Sequence, residues 1–249
     1  MEELTKNDLR FVVSRIPKDV RSLMHKYPSL MIGGGFVRGT IAREKISDID
    51  LFGPDVNTLK MAAQEIALSR KGRIYETDNA LTVLAPPRTP LQFITRWCFT
   101  DPKELINSFD YTVCQAAINC TLQRYEIGVE STEDNDVPSE KLTWHGHCSP
   151  MFYPDLAARR LNYTCPDRNE DAGGSMLRMR KFISRGYTIQ AGSMARVIAR
   201  LVSKVDFRGD NWKDEAYAAK IITGLLREVD PLTLIDGLEM VDEHEIEGI

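Results

Sequence analysis

Two aspartates two positions apart, Asp48 and Asp50, are the residues whose chemistry stands out first. They lie in the segment 46–52, where apolar and polar residues alternate with a period of two, which is typical of a β-strand. Side chains two apart in a strand point to the same side, so the two carboxylates are expected together. Because neighbouring like charges repel, both stay ionised only beside a cation, and Mg²⁺ prefers such oxygen ligands. The pattern therefore predicts a magnesium site at this pair, with Mn²⁺ as an expected substitute.

A glycine-rich turn precedes this strand and offers a place for phosphate. Gly33, Gly34 and Gly35 follow a short apolar run, and a short helix is predicted over 36–43. A tight turn before a helix exposes backbone N–H groups and the positive end of the helix dipole, which suits an anion. Arg38, one turn into that helix, is expected to add a charge-assisted contact to the same phosphate. Together these features favour phosphoryl or nucleotidyl transfer.

The turn and the strand resemble the signature of the polymerase-beta-like nucleotidyltransferase superfamily, a Gly-Gly turn followed by Asp-x-Asp on a strand. Residues 34–39 and 48–51 are most similar to the head of CCA-adding tRNA nucleotidyltransferases and bacterial poly(A) polymerases. The segment 109–114 resembles the strand that carries the third active-site carboxylate of that family, here Asp110, and 175–189 resembles its neck motif. Four residues depart from the family pattern: Gly39 stands where the family has aspartate, Phe109 where it has arginine, Cys114 where it has asparagine and Ser175 where it has the first arginine of the neck motif.

The resemblance implies a two-metal mechanism in which Asp48, Asp50 and Asp110 are the catalytic carboxylates and hold the Mg²⁺ ions. An NTP is the implied substrate, and the implied nucleotide-binding residues lie in the turn, the strand and the neck: Gly34, Gly35, Arg38, Ser47, Arg178 and Lys181. The implied acceptor is an RNA 3′-hydroxyl, such as a tRNA end. Contacts to its backbone are expected from cationic residues on the helices that follow: Arg185, Arg196 and Arg200.

The composition of the 249-residue chain is that of an ordinary globular protein, with 43% apolar and 27% charged residues. A formal net charge of −4 argues against non-specific nucleic-acid binding through an overall basic surface. No apolar run approaches the roughly 18 residues of a membrane helix, so no membrane contact is expected. Five cysteines at scattered spacings argue against a disulfide framework and favour a cytoplasmic location. These features leave the oligomeric state open.

The elements that must position these residues predict an α+β fold, a mixed-sheet nucleotidyltransferase head followed by a helical neck. The head is expected at 1–130, a polar and acidic linker at 131–150, and a helical domain at 151–249. Within the head, a long strand is predicted over 110–121. Within the helical domain, apolar residues at helical spacing predict an amphipathic helix over 194–205.

Two other interpretations of the same residues stay open. The superfamily signature is shared by enzymes that transfer NMP to a protein, to a small molecule such as an aminoglycoside, or to another nucleotide in signalling. The short chain and its acidic composition favour such an acceptor. The departures from the family pattern favour instead a catalytically silent nucleotide- or RNA-binding module. Metal and NTP binding without turnover would identify that module.

Overall fold

The computed structural model describes residues 1–125, 139–166, 172–203 and 214–219, and those residues divide between two compact units. The first unit comprises Met1–Ile106 and Ala116–Ser149, and the second comprises Asn107–Gln115 and Pro150–Ile249. In the described part of the chain, no helix is long and apolar enough to cross a membrane.

Eight strands form a mixed sheet in the first unit. In chain order they are β1 (Glu2–Glu3), β2 (Met31–Gly33), β3 (Ile49–Phe52), β4 (Arg73–Glu76), β5 (Ala80–Leu84), β6 (Leu91–Ile94), β7 (Ala116–Tyr125) and β8 (Ser139–Cys148). Their order across the sheet is β1-β8-β7-β2-β3-β6-β5-β4. β3 and β6 run parallel, with Asp50 opposite Gln92, and the other neighbouring pairs are antiparallel. The strand that carries Asp50 therefore lies inside the sheet, between two partners that fix its register.

Five helices accompany this sheet in the chain: α1 (Lys6–Arg15), α2 (Lys18–Lys26), α3 (Gly35–Ala42), α4 (Val56–Arg70) and α5 (Pro102–Ser108). Two of them begin at side chains that accept a backbone hydrogen bond. The Asp8 N–H donates to the Thr5 hydroxyl before α1, and the Thr58 N–H donates to the Asp55 carboxylate before α4. The sheet side of α4 is apolar and buried, which holds the helix in place. A single covered sheet thus supports the glycine turn and β3.

The second unit is built from a 3₁₀ turn (Thr112–Cys114), α6 (Phe152–Ala157), α7 (Ala172–Ser184), α8 (Ala191–Val202) and a parallel pair of short strands, β9 (Arg160–Leu161) and β10 (Thr188–Ile189). Aromatic rings fill its core. The ring of Tyr111 packs on Tyr163 at 5.6 Å and on Phe182 at 5.9 Å between centroids. On α8, Val197 and Leu201 are buried, so the amphipathic helix predicted there is present, with an earlier start than expected.

The α+β fold class predicted from the sequence is confirmed, and two local predictions need correction. The strand predicted over 110–121 begins only at Ala116, because the Thr112 N–H donates to the Asn162 carbonyl and the chain turns before it can join the sheet. Residues 139–148 of the predicted linker are β8, which pairs with β7 along its whole length. The rest of the linker's polar stretch, 131–138, lies outside the described residues.

Candidate nucleotide and metal site

The glycine turn between β2 and α3 has a backbone that glycine alone adopts without strain. Gly34 has a φ of 66°, and its N–H donates to the Ala116 carbonyl at 3.0 Å, which ties the turn to β7. A Cβ added to Gly35 would meet nothing within 4 Å, so the start of α3 is open on that side. The first N–H groups of a helix lack partners within the helix, so an open start suits a phosphate.

Arg38, the predicted phosphate ligand of α3, lies almost entirely inside the unit. Its side chain is 6% exposed, and its Nε lies 3.3 Å from the carboxylate of Glu44, a partner that sequence reasoning missed. A phosphate contact from Arg38 therefore requires an exchange of partner. The neighbouring Gly39 has a packing reason for being glycine, since an added Cβ would lie 2.6 Å from the Cδ1 atom of Ile46. The aspartate that the resembled family has here would force Ile46 to move.

Asp48 and Asp50 lie at the beginning of β3, and both are half-buried. Asp50 is the second residue of the strand, and Asp48 immediately precedes the strand rather than lying within it. The Ser47 hydroxyl donates to Asp48 Oδ1 at 3.0 Å, which orients that carboxylate. Ser47 itself is exposed, in keeping with its predicted place beside a nucleotide. Two accessible carboxylates and one ordering hydroxyl form the polar start of this strand.

The donor chemistry of this pair fits a hard divalent ion, since both side chains offer carboxylate oxygens and neither is sealed from water. Among the described residues, no group of three or more His, Cys, Asp or Glu side chains converges as a metal site. A Mg²⁺ ion at the pair would therefore rely on water and substrate phosphate for its other ligands, as this ion ordinarily does.

Asp110, the predicted third carboxylate, belongs to the second unit and is held by protein donors. It is 2% exposed, and its Oδ2 atom accepts three hydrogen bonds. The Ser175 hydroxyl and two nitrogens of Arg178, Nε and Nη2, each lie 2.8 Å from that oxygen. Ser175 and Arg178 are three apart on α7 and so share a face of the helix. Arg178, predicted to bind nucleotide, thus neutralises Asp110 in this structure.

The backbone around Asp110 is fixed by contacts that the sequence did not reveal. The Thr164 N–H donates to the Asp110 carbonyl at 2.8 Å. The Thr112 hydroxyl donates to Asp155 at 2.5 Å, and Arg160 Nη2 lies 2.6 Å from the other oxygen of the same carboxylate. Asp155 has no exposed surface, so this buried ion pair is a structural support of the turn.

The phenol of Tyr111 adds a further bond within the same core. Burial and the negative charge of Asp110 raise the pKa of Tyr111 far above its usual range, so the hydroxyl stays protonated. It donates to the Ser175 carbonyl at 2.7 Å. Ser175 thus bonds Asp110 through its hydroxyl and Tyr111 through its carbonyl, which gives a physical reason for a small residue where the resembled family has arginine.

The remaining cations predicted to bind nucleotide or RNA are partly or fully exposed. Lys181 on α7 and Arg185, which follows α7, are half-exposed, and Arg196 on α8 is exposed and donates to the Ser193 hydroxyl at 3.2 Å. Arg200, predicted to contact RNA, donates to the Tyr163 hydroxyl at 3.4 Å and to the Pro166 carbonyl. Arg200 therefore fastens the segment after β9 to α8.

Comparison with known proteins matches residues 3–136 to the model of the Gabija anti-defense 2 family. A curated relative, Gabija anti-defense 2 of Bacillus phage SPbetaL7, is 21% identical over 170 residues, which are 68% of this chain and 36% of the relative. The chain thus spans little more than a third of that relative's length.

Solved structures of CCA-adding enzymes share the fold. The Thermotoga maritima enzyme complexed with tRNA has a TM-score of 0.51 at 17% identity, over 88% of this chain and 48% of that one. A CCA-adding enzyme complexed with ATP has a TM-score of 0.52 at 16% identity, over 97% and 54% of the two chains. The nucleotidyltransferase-like fold that the motifs indicate is therefore present.

The family match identifies a narrower family than the motifs alone indicated. The resemblance to nucleotidyltransferases is supported at the level of the fold, while the narrower family is a different one from the CCA-adding enzymes. The matched residues 3–136 include the glycine turn, β3 and Asp110, and they amount to more than half of the 249 residues. The chain belongs to the Gabija anti-defense 2 family.

Proposed function

We propose that this chain is a metal-dependent nucleotidyltransferase that moves NMP from an NTP to an acceptor, with pyrophosphate as the leaving group, and by doing so counteracts the Gabija defence. The observation that carries the proposal is the pair Asp48 and Asp50 at the start of a central strand, in the same unit as an open glycine turn of a nucleotidyltransferase-like fold. The name of the phage relative supports the anti-defence role.

In this proposal each residue has a limited task. The N–H groups at the start of α3, beside Gly34 and Gly35, donate hydrogen bonds to the triphosphate oxygens, and Arg38 adds a positive charge beside them. Asp48 and Asp50 hold the metal ions, Ser47 orients Asp48, and Asp110 is the third carboxylate. Bound Mg²⁺ would neutralise the phosphate charge and lower the pKa of the attacking hydroxyl.

The acceptor proposed is an RNA 3′-hydroxyl, such as a tRNA end. Support comes from the sequence resemblance to tRNA nucleotidyltransferases and from the accessible cations Lys181 on α7, Arg185 just after α7 and Arg196 on α8. Accessible cations favour phosphate contacts that weaken as salt rises. Arg178 and Arg200 already have protein partners. We therefore assign Arg178 to nucleotide binding after it leaves Asp110, and we leave Arg200 out of the RNA contacts.

A second candidate function is a catalytically silent nucleotide-binding module. The specific observation in its favour is the neutralised Asp110, whose Oδ2 is filled by Ser175 and Arg178. Such a module would bind NTP or RNA and remove it from a partner without forming a bond.

Phage plating on cells that carry a Gabija system separates the two candidates. The chain is produced in those cells as wild type, as Asp48→Asn/Asp50→Asn, and as Asp78→Asn, a control at an exposed aspartate between β4 and β5. The enzyme proposal predicts that wild type and Asp78→Asn raise plating equally, while the double variant restores defence at equal protein level. Full plating with the double variant would contradict the enzyme proposal and favour the catalytically silent module.

A further inference from the structure

The contact between Asp110 and Arg178 pairs two side chains that are each predicted to bind a ligand. Asp110 is predicted to bind metal and Arg178 to bind nucleotide, yet the structure pairs them through two bonds of 2.8 Å to one oxygen. With the hydroxyl of Ser175 added, Oδ2 receives three donors, which occupies its lone pairs. While this arrangement lasts, that oxygen is closed to a cation and the guanidinium is partly used.

The two partners differ in their access to water. The Asp110 side chain is 3% exposed and the Arg178 side chain is 37% exposed. An anion arriving from solvent therefore reaches the guanidinium before anything reaches the carboxylate. Phosphate oxygens are strong partners for the planar fork of arginine, since they also bond it through two parallel N–H groups.

We propose that Arg178 exchanges partners, from Asp110 in the free protein to the triphosphate of a bound NTP, so that nucleotide binding opens Asp110 to metal. This inference rests on the proposed function and deepens it, because it makes the third carboxylate conditional on substrate. Metal would then be recruited to Asp110 only when an NTP is present. By linkage, metal and nucleotide raise each other's affinity by one common factor.

The neighbouring cation Arg180 offers a matched control. It lies two residues further along α7, is exposed, and carries the same charge. Arg180→Gln therefore removes one positive charge from the same helix without touching Asp110. Arg178→Lys keeps the charge of Arg178 but removes the two-pronged contact, and it serves if Arg178→Gln proves too unstable to study.

The test measures two affinities separately. Mn²⁺ binding is followed by electron paramagnetic resonance without nucleotide, and binding of a fluorescent NTP is followed in EDTA. Arg178→Gln is expected to bind Mn²⁺ more tightly and NTP more weakly than wild type, each by roughly 5- to 150-fold, the usual range of coupling between ligands. Asp110→Asn is expected to bind NTP more tightly, because Arg178 is released, and to bind Mn²⁺ as wild type does, because Asp110 is closed to metal while nucleotide is absent. Arg178→Lys should follow Arg178→Gln with smaller changes, and Arg180→Gln and Asp78→Asn should match wild type.

The outcomes separate this inference from the proposed function. If wild type binds both ligands but Arg178→Gln weakens both or neither, the exchange is wrong and the nucleotidyltransferase proposal stands. If wild type binds neither Mn²⁺ nor any of the four NTPs, the proposed function fails and the exchange fails with it. Thermal unfolding of every variant shows whether lost binding reflects lost fold.

Discussion

The two units of this protein treat their predicted catalytic carboxylates in opposite ways. In the first unit, Asp48 and Asp50 are half-buried at the start of β3, and the Ser47 hydroxyl donates to one of them. In the second unit, Asp110 is 2% exposed and receives a guanidinium and a hydroxyl from α7. The same side-chain type is thus half-exposed to solvent in one unit and buried beside a guanidinium in the other.

The two environments have different consequences for stability and for cation binding. A carboxylate that the protein has already neutralised contributes to folding, because leaving it or its partner unpaired in the interior is costly. Carboxylates that water reaches contribute less to folding, because solvent screens their charges. Asp110 can therefore serve both purposes only if its partners exchange.

The largest effect that sharpens the contrast is expected at Asp155, the buried support of the Asp110 turn. Asp155→Asn keeps the shape but removes the charge that Arg160 and Thr112 bind. We expect a loss of about 2–4 kcal/mol in the free energy of unfolding, below the full cost of breaking a buried pair because Arg160 is partly exposed. Urea unfolding measures this loss in the free energy of unfolding, with Asp78→Asn as the control. A loss no larger than the control's would mean that the turn does not depend on this ion pair.

A direct comparison of the carboxylates comes next. Asp110→Asn is expected to lower the free energy of unfolding by about 1.5–3 kcal/mol, the worth of hydrogen bonds to a charged group. Asp48→Asn/Asp50→Asn is expected to change it by no more than about 0.5 kcal/mol, as accessible positions usually do. Urea unfolding measures the free energy of unfolding of both variants. Equal losses at the two places would remove the contrast between the units.

Metal should stabilise the protein through the first unit alone while nucleotide is absent. At ten times its Kd, Mg²⁺ is expected to raise the free energy of unfolding of wild type by about 1.4 kcal/mol, and EDTA to reverse the gain. Asp48→Asn/Asp50→Asn should lose the gain, and Asp110→Asn should keep it. Thermal unfolding with and without Mg²⁺ gives the result, and an equal gain in all three proteins would place the metal elsewhere.

The smallest expected effect concerns a carboxylate of the first unit that is tied to partners, Asp19. Burial alone would raise the pKa of Asp19, but the hydrogen bond and charge of Arg70, with the charge of Arg88, hold it below its usual range. A lowered pKa in the folded state stabilises the fold above the unfolded-state value, near pH 4, and this stabilisation is lost as the pH falls through the folded-state pKa.

The measurement for Asp19 is the free energy of unfolding between pH 7 and pH 2. Wild type should lose about 1 kcal/mol more than Asp19→Asn over this range, since the group is only partly buried. An identical acid loss in both proteins would show that Arg70 and Arg88 do not stabilise the fold through the charge of Asp19.

The candidate site of the first unit could be predicted from the sequence more fully than the surroundings of Asp110 in the second unit. The glycine turn, Asp48 and Asp50 lie close together along the chain, so their types and spacing carry the information. The partners of Asp110 lie 65 and 68 residues away on α7, and Asp155 lies 43 residues from Thr112. The sequence also predicts a strand over 110–121, yet long-range bonds to 162–164 turn the chain before Ala116. No local pattern reports contacts of that kind.

Nucleotidyl transfer itself is tested by following label from each of four α-³²P-NTPs, with Mg²⁺, into total RNA and total protein. We expect Mg²⁺-dependent label in the RNA fraction, reduced by about a thousandfold in Asp48→Asn/Asp50→Asn and unchanged in Asp78→Asn. Label in protein would keep the enzyme and change its acceptor. No label in any fraction, despite measurable NTP binding, would contradict nucleotidyl transfer to a macromolecule and favour the silent module.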